Sequence, residues 1–143
     1  MKIAIGCDHG GFELKEQLRR YLTREGHEVI DCGTDSVESV HYPVFAKVVA
    51  KNVLAGRVDR GIVVCTTGEG VAITANRFKG IRCGIAYNDE VTRLMRAHNN
   101  ANMISFGARF TSLEDAIKRV NVFLNTEFEG GRHQVRVDMI DED

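Results

Sequence analysis

Cys65 ends an apolar run, Gly61-Ile62-Val63-Val64, and is followed at once by Thr66, Thr67, Gly68, Glu69 and Gly70. A thiol at a strand end, ahead of a glycine loop that opens a helix, sits where backbone N–H groups and the helix dipole stabilise negative charge. Such a loop supports two chemistries, a thiolate acting as a base and an oxyanion held on N–H groups as it forms. The residue types also fit a plainer reading, a small buried cysteine followed by a tight glycine turn. Several catalytic loops are excluded. A Cys-x5-Arg phosphatase loop needs arginine at position 71, which is Val71, and neither Gly-x-Ser-x-Gly nor a Gly-Lys-Ser/Thr phosphate loop is present. A receiver-type acidic centre fails as well, since Cys65 stands where its aspartate belongs.

A second polar loop, Cys7-Asp8-His9-Gly10-Gly11, follows the first apolar run. Asp8 and His9 could move protons or hold a sugar hydroxyl and a phosphate, although Asp8 equally suits a helix N-cap. Arg132 and Arg136 are four apart, so on a helical turn they project from one face and can grip a single anion. The plain alternative is a solvated basic patch. Arg109, past the fifth strand, joins that pair or meets a surface carboxylate. His98, Asn99, Asn100 and Asn102 form the other dense polar cluster, at the end of the fourth helix.

The elements that must position these residues alternate regularly. Strands are expected at Lys2 to Gly6, Glu28 to Asp31, Gly61 to Cys65, Arg82 to Ala86 and Asn102 to Phe106. Helices are expected at Gly11 to Glu25, Tyr42 to Ala55, Gly68 to Phe78, Asp89 to Ala97 and Ser112 to Asn125, with Gly26 and Gly56 closing the first two and Pro43 near the start of the second. The pattern is that of an α/β protein, a three-layer αβα sandwich around a five-stranded parallel sheet of flavodoxin-like order 2-1-3-4-5, with a C-terminal tail helix beyond Asn125. Ligands of such sheets bind beyond the carboxyl ends of strands 1 and 3, which brings the Asp8 and Cys65 loops face to face. His98 closes a helix antiparallel to the strands and therefore belongs to the opposite edge; to act on the same ligand it must come from another subunit, and otherwise it is a helix-capping histidine with Asn99 and Asn100 making the turn.

With 143 residues and 43% hydrophobic content, the chain suits one domain spanning 1–143. A net charge of -1 gives no reason to expect nucleic acid or a membrane surface as partner. The opening Met-Lys-Ile-Ala-Ile-Gly is neither a secretory signal nor a span, so a cytoplasmic location is expected. Four scattered cysteines without a Cys-x-x-Cys pair are read as reduced thiols.

Taken together, "IAIGCDHGGFELK", "CTTGEG", "RAHNNANMISFGAR" and "FEGGRHQVRVD" resemble the type B ribose-5-phosphate isomerases and the related galactose-6-phosphate isomerase subunits, in order and over essentially the whole chain. The resemblance implies a Rossmann-like fold, a homodimer or dimer of dimers with active sites shared between subunits, and isomerisation of a phosphorylated sugar without metal or other cofactor. It implies Cys65 as base and His98 as the acid that opens the sugar ring, with Asp8 and Thr67 assisting. Substrate contacts are implied for Asp8, His9, Tyr42, Thr66, Thr67, Gly68, Glu69, Gly70 and Asn99, and phosphate contacts for His9, Arg109, Arg132 and Arg136. The tail, 126–143, is expected at the dimer interface. Thr66 and Glu69 depart from the glycine and apolar residue usual in that family's loop. A carboxylate at 69 opposes enediolate formation unless it faces solvent or a partner's cation. Six-carbon sugar phosphates are the alternative substrates, and a flavodoxin-like nucleotide or FMN module is the alternative class, although "CDHGG" lacks the hydroxyl-rich phosphate loop such a module needs.

Overall fold

The computed structural model describes all of residues 1–143. Five strands form one parallel sheet: β1 (Lys2–Cys7), β2 (Glu28–Asp31), β3 (Arg60–Cys65), β4 (Cys83–Ile85) and β5 (Met103–Gly107). Six helices accompany them: α1 (Phe12–Arg24), α2 (Tyr42–Leu54), α3 (Glu69–Ala75), α4 (Asp89–Ala97), α5 (Leu113–Asn125) and α6 (Arg132–Met139). Short 3₁₀ turns at His9–Gly11 and Ala108–Phe110 follow β1 and β5. No helix is long and apolar enough to cross a membrane.

The sheet order is β2-β1-β3-β5-β4, so the expected order of the last two strands is reversed. Burial gives the reason. All five residues of β5 are buried, whereas β4 has only three residues, two of them half-exposed. The place beside β3 is covered on both faces and takes the longer, wholly buried strand. The outer edge of β4 is closed by Asn76, whose side chain bonds both Cys83 N (2.7 Å) and Cys83 O (2.9 Å). Asn76 also ends α3, three residues short of the expected Phe78.

Right-handed crossovers dictate which face each helix covers. The chain steps one way from β1 to β2 and from β4 to β5, and the other way from β2 to β3 and from β3 to β4. Hence α1 and α4 share one face with α5, and α2 and α3 share the other. The two cores agree: Ile3, Ile5, Cys7, Ile62, Val64, Ile104 and Phe106 pack with α1, α4 and α5, while Ala4, Val63, Cys65 and Met103 pack with α2 and α3. Strand alternation thus points Cys7 and Cys65 to opposite faces. Gly26 (φ 91°) and Gly56 (φ 71°) follow α1 and α2 as expected, and Pro43 lies in the first turn of α2.

One charge network, centred on a buried lysine, ties α1 to β2. The fully buried Lys15 donates from Nζ to Glu16 Oε1 (2.9 Å) and to Asp31 Oδ1 (3.0 Å), and Arg19 also bonds Glu16. These bonds, Arg19's first and Lys15's second, hold the Glu16 carboxyl down to about 2 against the opposing effect of burial. A carboxyl whose folded value is depressed stabilises the fold above its unfolded value, near 4.5, and that stability drains away as pH falls towards 2. Glu16→Gln is expected to lower stability by about 2 kcal/mol at pH 7, allowing for solvent screening, and by nearly nothing at pH 2. Urea unfolding at the two pH values checks it; equal losses at both would contradict the assignment.

Candidate active site

The carboxyl ends of β1, β3 and β5 build one crest. Because β5 lies beside β3, the loop after β5 meets the loop after β3: Arg109 N donates to Thr66 O (3.1 Å) and Ser105 Oγ donates to Gly68 O (2.6 Å). The two backbones touch. A Cβ at Gly107 would lie 2.7 Å from the Thr67 carbonyl carbon, and Gly68 itself holds φ 80°, a conformation natural only to glycine. This clamp holds the loop Thr66 to Gly70 over Cys65.

The Cys65 sulfur accepts the Gly68 N–H at 3.1 Å. The other three thiols lie elsewhere. Burial pushes Cys7 and Cys83 up to about 12 and Cys32 up to about 11, so none supplies thiolate near neutral pH. Thr67 is exposed, and its Oγ1 accepts from Glu69 N (3.2 Å), leaving the hydroxyl hydrogen free to donate outwards. Glu69 begins α3 with an exposed side chain, and no loop N–H donates to its carboxylate. Its side chain therefore faces solvent and does not occupy the loop N–H groups, one of the two placements expected for it. Tyr42 lies over Gly70, where a Cβ would come within 2.6 Å of its ring; it thereby borders the crest on the α2 side.

Asp8 is buried and caps the turn after β1, with Oδ1 accepting Gly11 N at 3.1 Å. Oδ2 has no partner within the chain, so capping and ligand contact are both open to this one residue. His9 Nδ1 accepts the Val40 N–H (3.1 Å), which in the neutral ring places the proton on Nε2. His9 thus offers a donor to an anion. With Thr66 and Arg109 it lines a cleft of about 520 Å³ on the α1 and α5 side of the crest. Cys65, on the other face of the sheet, does not line it.

Within one chain the remaining expected residues stand apart from this crest. Arg82 at the start of β4 donates to the carbonyls of Asn99 (3.1 Å) and Asn100 (3.0 Å), which fixes the His98 turn at the opposite edge of the sheet. From Arg60 to Cys65 alone, β3 spans roughly 16 Å. Asn100 makes the turn with φ 47°, a left-handed helix end that asparagine tolerates. Asn99 is exposed beside it. Glu129 N bonds Ala97 O (3.0 Å), and the glycine pair Gly130 and Gly131 turns the chain into α6, which carries Arg132 and Arg136, both exposed. The single phosphate grip of His9, Arg109, Arg132 and Arg136 is therefore split: the first two line the crest, and the last two accompany His98 at the far edge.

Two features there were not anticipated. His133 stacks on His98, ring centres 4.2 Å apart and planes 11° from parallel, with Glu129 between their Nε2 atoms. Three arginines, Arg60, Arg82 and Arg96, also gather nearby; burial first, then the other two cations, lowers Arg96 to about 10. The fragment "FEGGRHQ" contains both Glu129 and His133, and the glycine pair between them was the available signal that they fold back together.

An open parallel α/β sheet carrying a thiol, an acid, an imidazole and an arginine on its crest defines a small-molecule site of the kind that handles anionic, hydroxyl-bearing ligands. The particular family follows from comparison: residues 3–140 match the ribose/galactose isomerase family, and the chain belongs to it. It is 47% identical to ribose-5-phosphate isomerase B of Escherichia coli over 139 residues, 97% of this chain and 93% of that one. The ribose-5-phosphate isomerase B of Clostridium thermocellum superposes with a TM-score of 0.98 at 47% identity, covering 99% of this chain and 96% of the other. The Mycoplasma genitalium enzyme of the same name, solved with bound ribulose 5-phosphate, has a TM-score of 0.93 at 38% identity, covering 97% and 93%.

Proposed function

We propose that this protein interconverts ribose 5-phosphate and ribulose 5-phosphate in the cytoplasm, as a homodimer or dimer of dimers whose active sites are shared between subunits. The observation that carries the chemistry is the Cys65 sulfur, held on the Gly68 N–H at the carboxyl end of β3, beside the β1 loop that bears Asp8 and His9. The observation that supports sharing is the opposite placement of the His98 turn, which completes a site only when a second chain presents it, together with the tail 126–143.

The phosphate is held by His9 Nε2–H and Arg109 of one chain and by Arg132 and Arg136 of its partner. His98 donates a proton to the ring oxygen while Asp8 accepts the anomeric hydroxyl proton, so the ring C–O bond breaks and the aldehyde forms. Cys65 as thiolate takes the proton from C2. The enediolate oxygen is stabilised by loop N–H groups, and the exposed Thr67 hydroxyl bonds the sugar beside it. A proton passes from O2 to O1, and the Cys65 thiol returns its proton to C1, giving the ketose. Tyr42, Thr66, Gly68, Glu69 and Gly70 border the sugar, and Asn99 reaches it from the partner.

The matched family takes its description from both ribose and galactose isomerases, which favours a six-carbon sugar phosphate as the second reading. Turnover of ribose 5-phosphate, galactose 6-phosphate and allose 6-phosphate by the purified protein separates the two. The five-carbon reading predicts a kcat/KM for ribose 5-phosphate at least ~10-fold above the others; a higher value for either hexose phosphate would replace it.

A further inference from the structure

His98 does not stand alone. The His133 ring lies 4.2 Å from it and within 11° of parallel, and Glu129 Oε1 sits 3.8 Å from His98 Nε2 and 3.5 Å from His133 Nε2. His133 is buried, and its Nε2 has no hydrogen-bond partner; the His98 ring is half-exposed at the surface of the stack. We propose that His133, backed by Glu129, is the positioning residue that fixes the plane of the His98 ring for sugar-ring opening. The inference rests on the reading of His98 as the ring-opening acid and deepens it.

Electrostatics assigns the two rings different parts. Burial, followed by His98, Arg132 and Arg136, disfavours the charged form of His133, and Glu129 only partly offsets them. Glu90 and Arg93 of α4, paired to each other at 2.7 Å, complete the charged groups around the stack. Two cations at stacking distance repel, so a neutral inner ring leaves the outer one free to carry the proton. The inner ring is anchored through α6 by Val137, buried one turn on, while His98 alone has only a helix end to hold it. A flat, neutral platform removes the rotational freedom that a half-exposed histidine otherwise keeps, and aim governs the rate of proton transfer.

The test uses the full-length protein and two readouts. Conversion of ribose 5-phosphate requires ring opening; incorporation of solvent deuterium at C1 of ribulose 5-phosphate does not, because a 2-ketopentose phosphorylated on O5 cannot close a furanose ring. His133→Asn is expected to lower furanose turnover about tenfold in kcat with KM within twofold, and to leave deuterium exchange unchanged. His133→Phe keeps a flat ring and should recover most of the furanose rate, and it also controls for folding. Equal losses in the asparagine and phenylalanine variants, an equal loss in both readouts, or full furanose turnover in His133→Asn would overturn the positioning role. His98→Asn is the companion measurement. If it retains full furanose turnover, the ring-opening reading fails and takes this inference with it; if it is impaired while His133→Asn is not, only the inference fails.

Discussion

Cys65→Ala is expected to lower kcat for sugar-phosphate isomerisation by about 10³-fold, the scale of losing a general base, with ligand binding changed little. No other thiol can take its place. Cys7 is nearest along the crest, but strand alternation aims it into the opposite core, where burial raises it to about 12. The variant should still fold, because alanine removes only a sulfur atom from a position packed among Val71, Ala72 and Ala75. Cys65→Ser should be nearly as inactive, since a hydroxyl held on the same N–H is far less acidic than a thiol. Deuterium exchange at C1 of ribulose 5-phosphate isolates the step in question. Exchange in Cys65→Ala at more than about a tenth of the wild-type rate would remove the thiol from the role of base and direct attention to Asp8.

The strands could be read from the sequence because each is a short apolar run between turn residues, and the helices because glycine, proline and capping residues mark their ends. Lateral order could not. Whether β4 or β5 lies beside β3 depends on which strand is buried on both faces, and that property belongs to the packed sheet; β5 begins at Met103, one residue past the Asn102 that the pattern predicts, and β4, Cys83–Ile85, is shorter than the predicted Arg82 to Ala86. The consequence falls on function. Only with β5 beside β3 does the Arg109 loop meet Thr66 and close the crest on that side. The loops that carry Asp8, His9, Cys65 and Arg109 were legible as strand ends, and the opposite placement of His98 followed from helix direction alone. What stayed hidden was pairing between distant segments: Val40 setting the His9 tautomer, Gly107 clamping Thr67, and His133 stacked on His98. Asp8 shows a different limit, for one buried carboxylate caps a turn with one oxygen and leaves the other open, so the two readings of that residue were never exclusive.

Mixing two inactive variants should restore activity. If each site takes Cys65 from one chain and His98 from its partner, a dimer of Cys65→Ala with His98→Asn has one site bearing both defects and one bearing neither. Random reassortment makes half of all dimers mixed, and half of their sites intact, so about a quarter of wild-type furanose turnover should return. Both parents must first be dissociated and refolded together, because chains that never exchange cannot form the mixed dimer. The geometry that motivates this is internal to one chain: the turn at His98 is pinned by Arg82 and Asn100 to the edge where β3 begins, and Cys65 lies where β3 ends. No rotation of side chains spans that separation. Recovery to about a quarter would show that the site is shared, whereas turnover no higher than the mean of the two parents would overturn the reading that each site takes Cys65 from one chain and His98 from its partner. A dimer of dimers gives the same quarter, provided each site is shared by only two chains, so the experiment reads how the site is built independently of the final assembly.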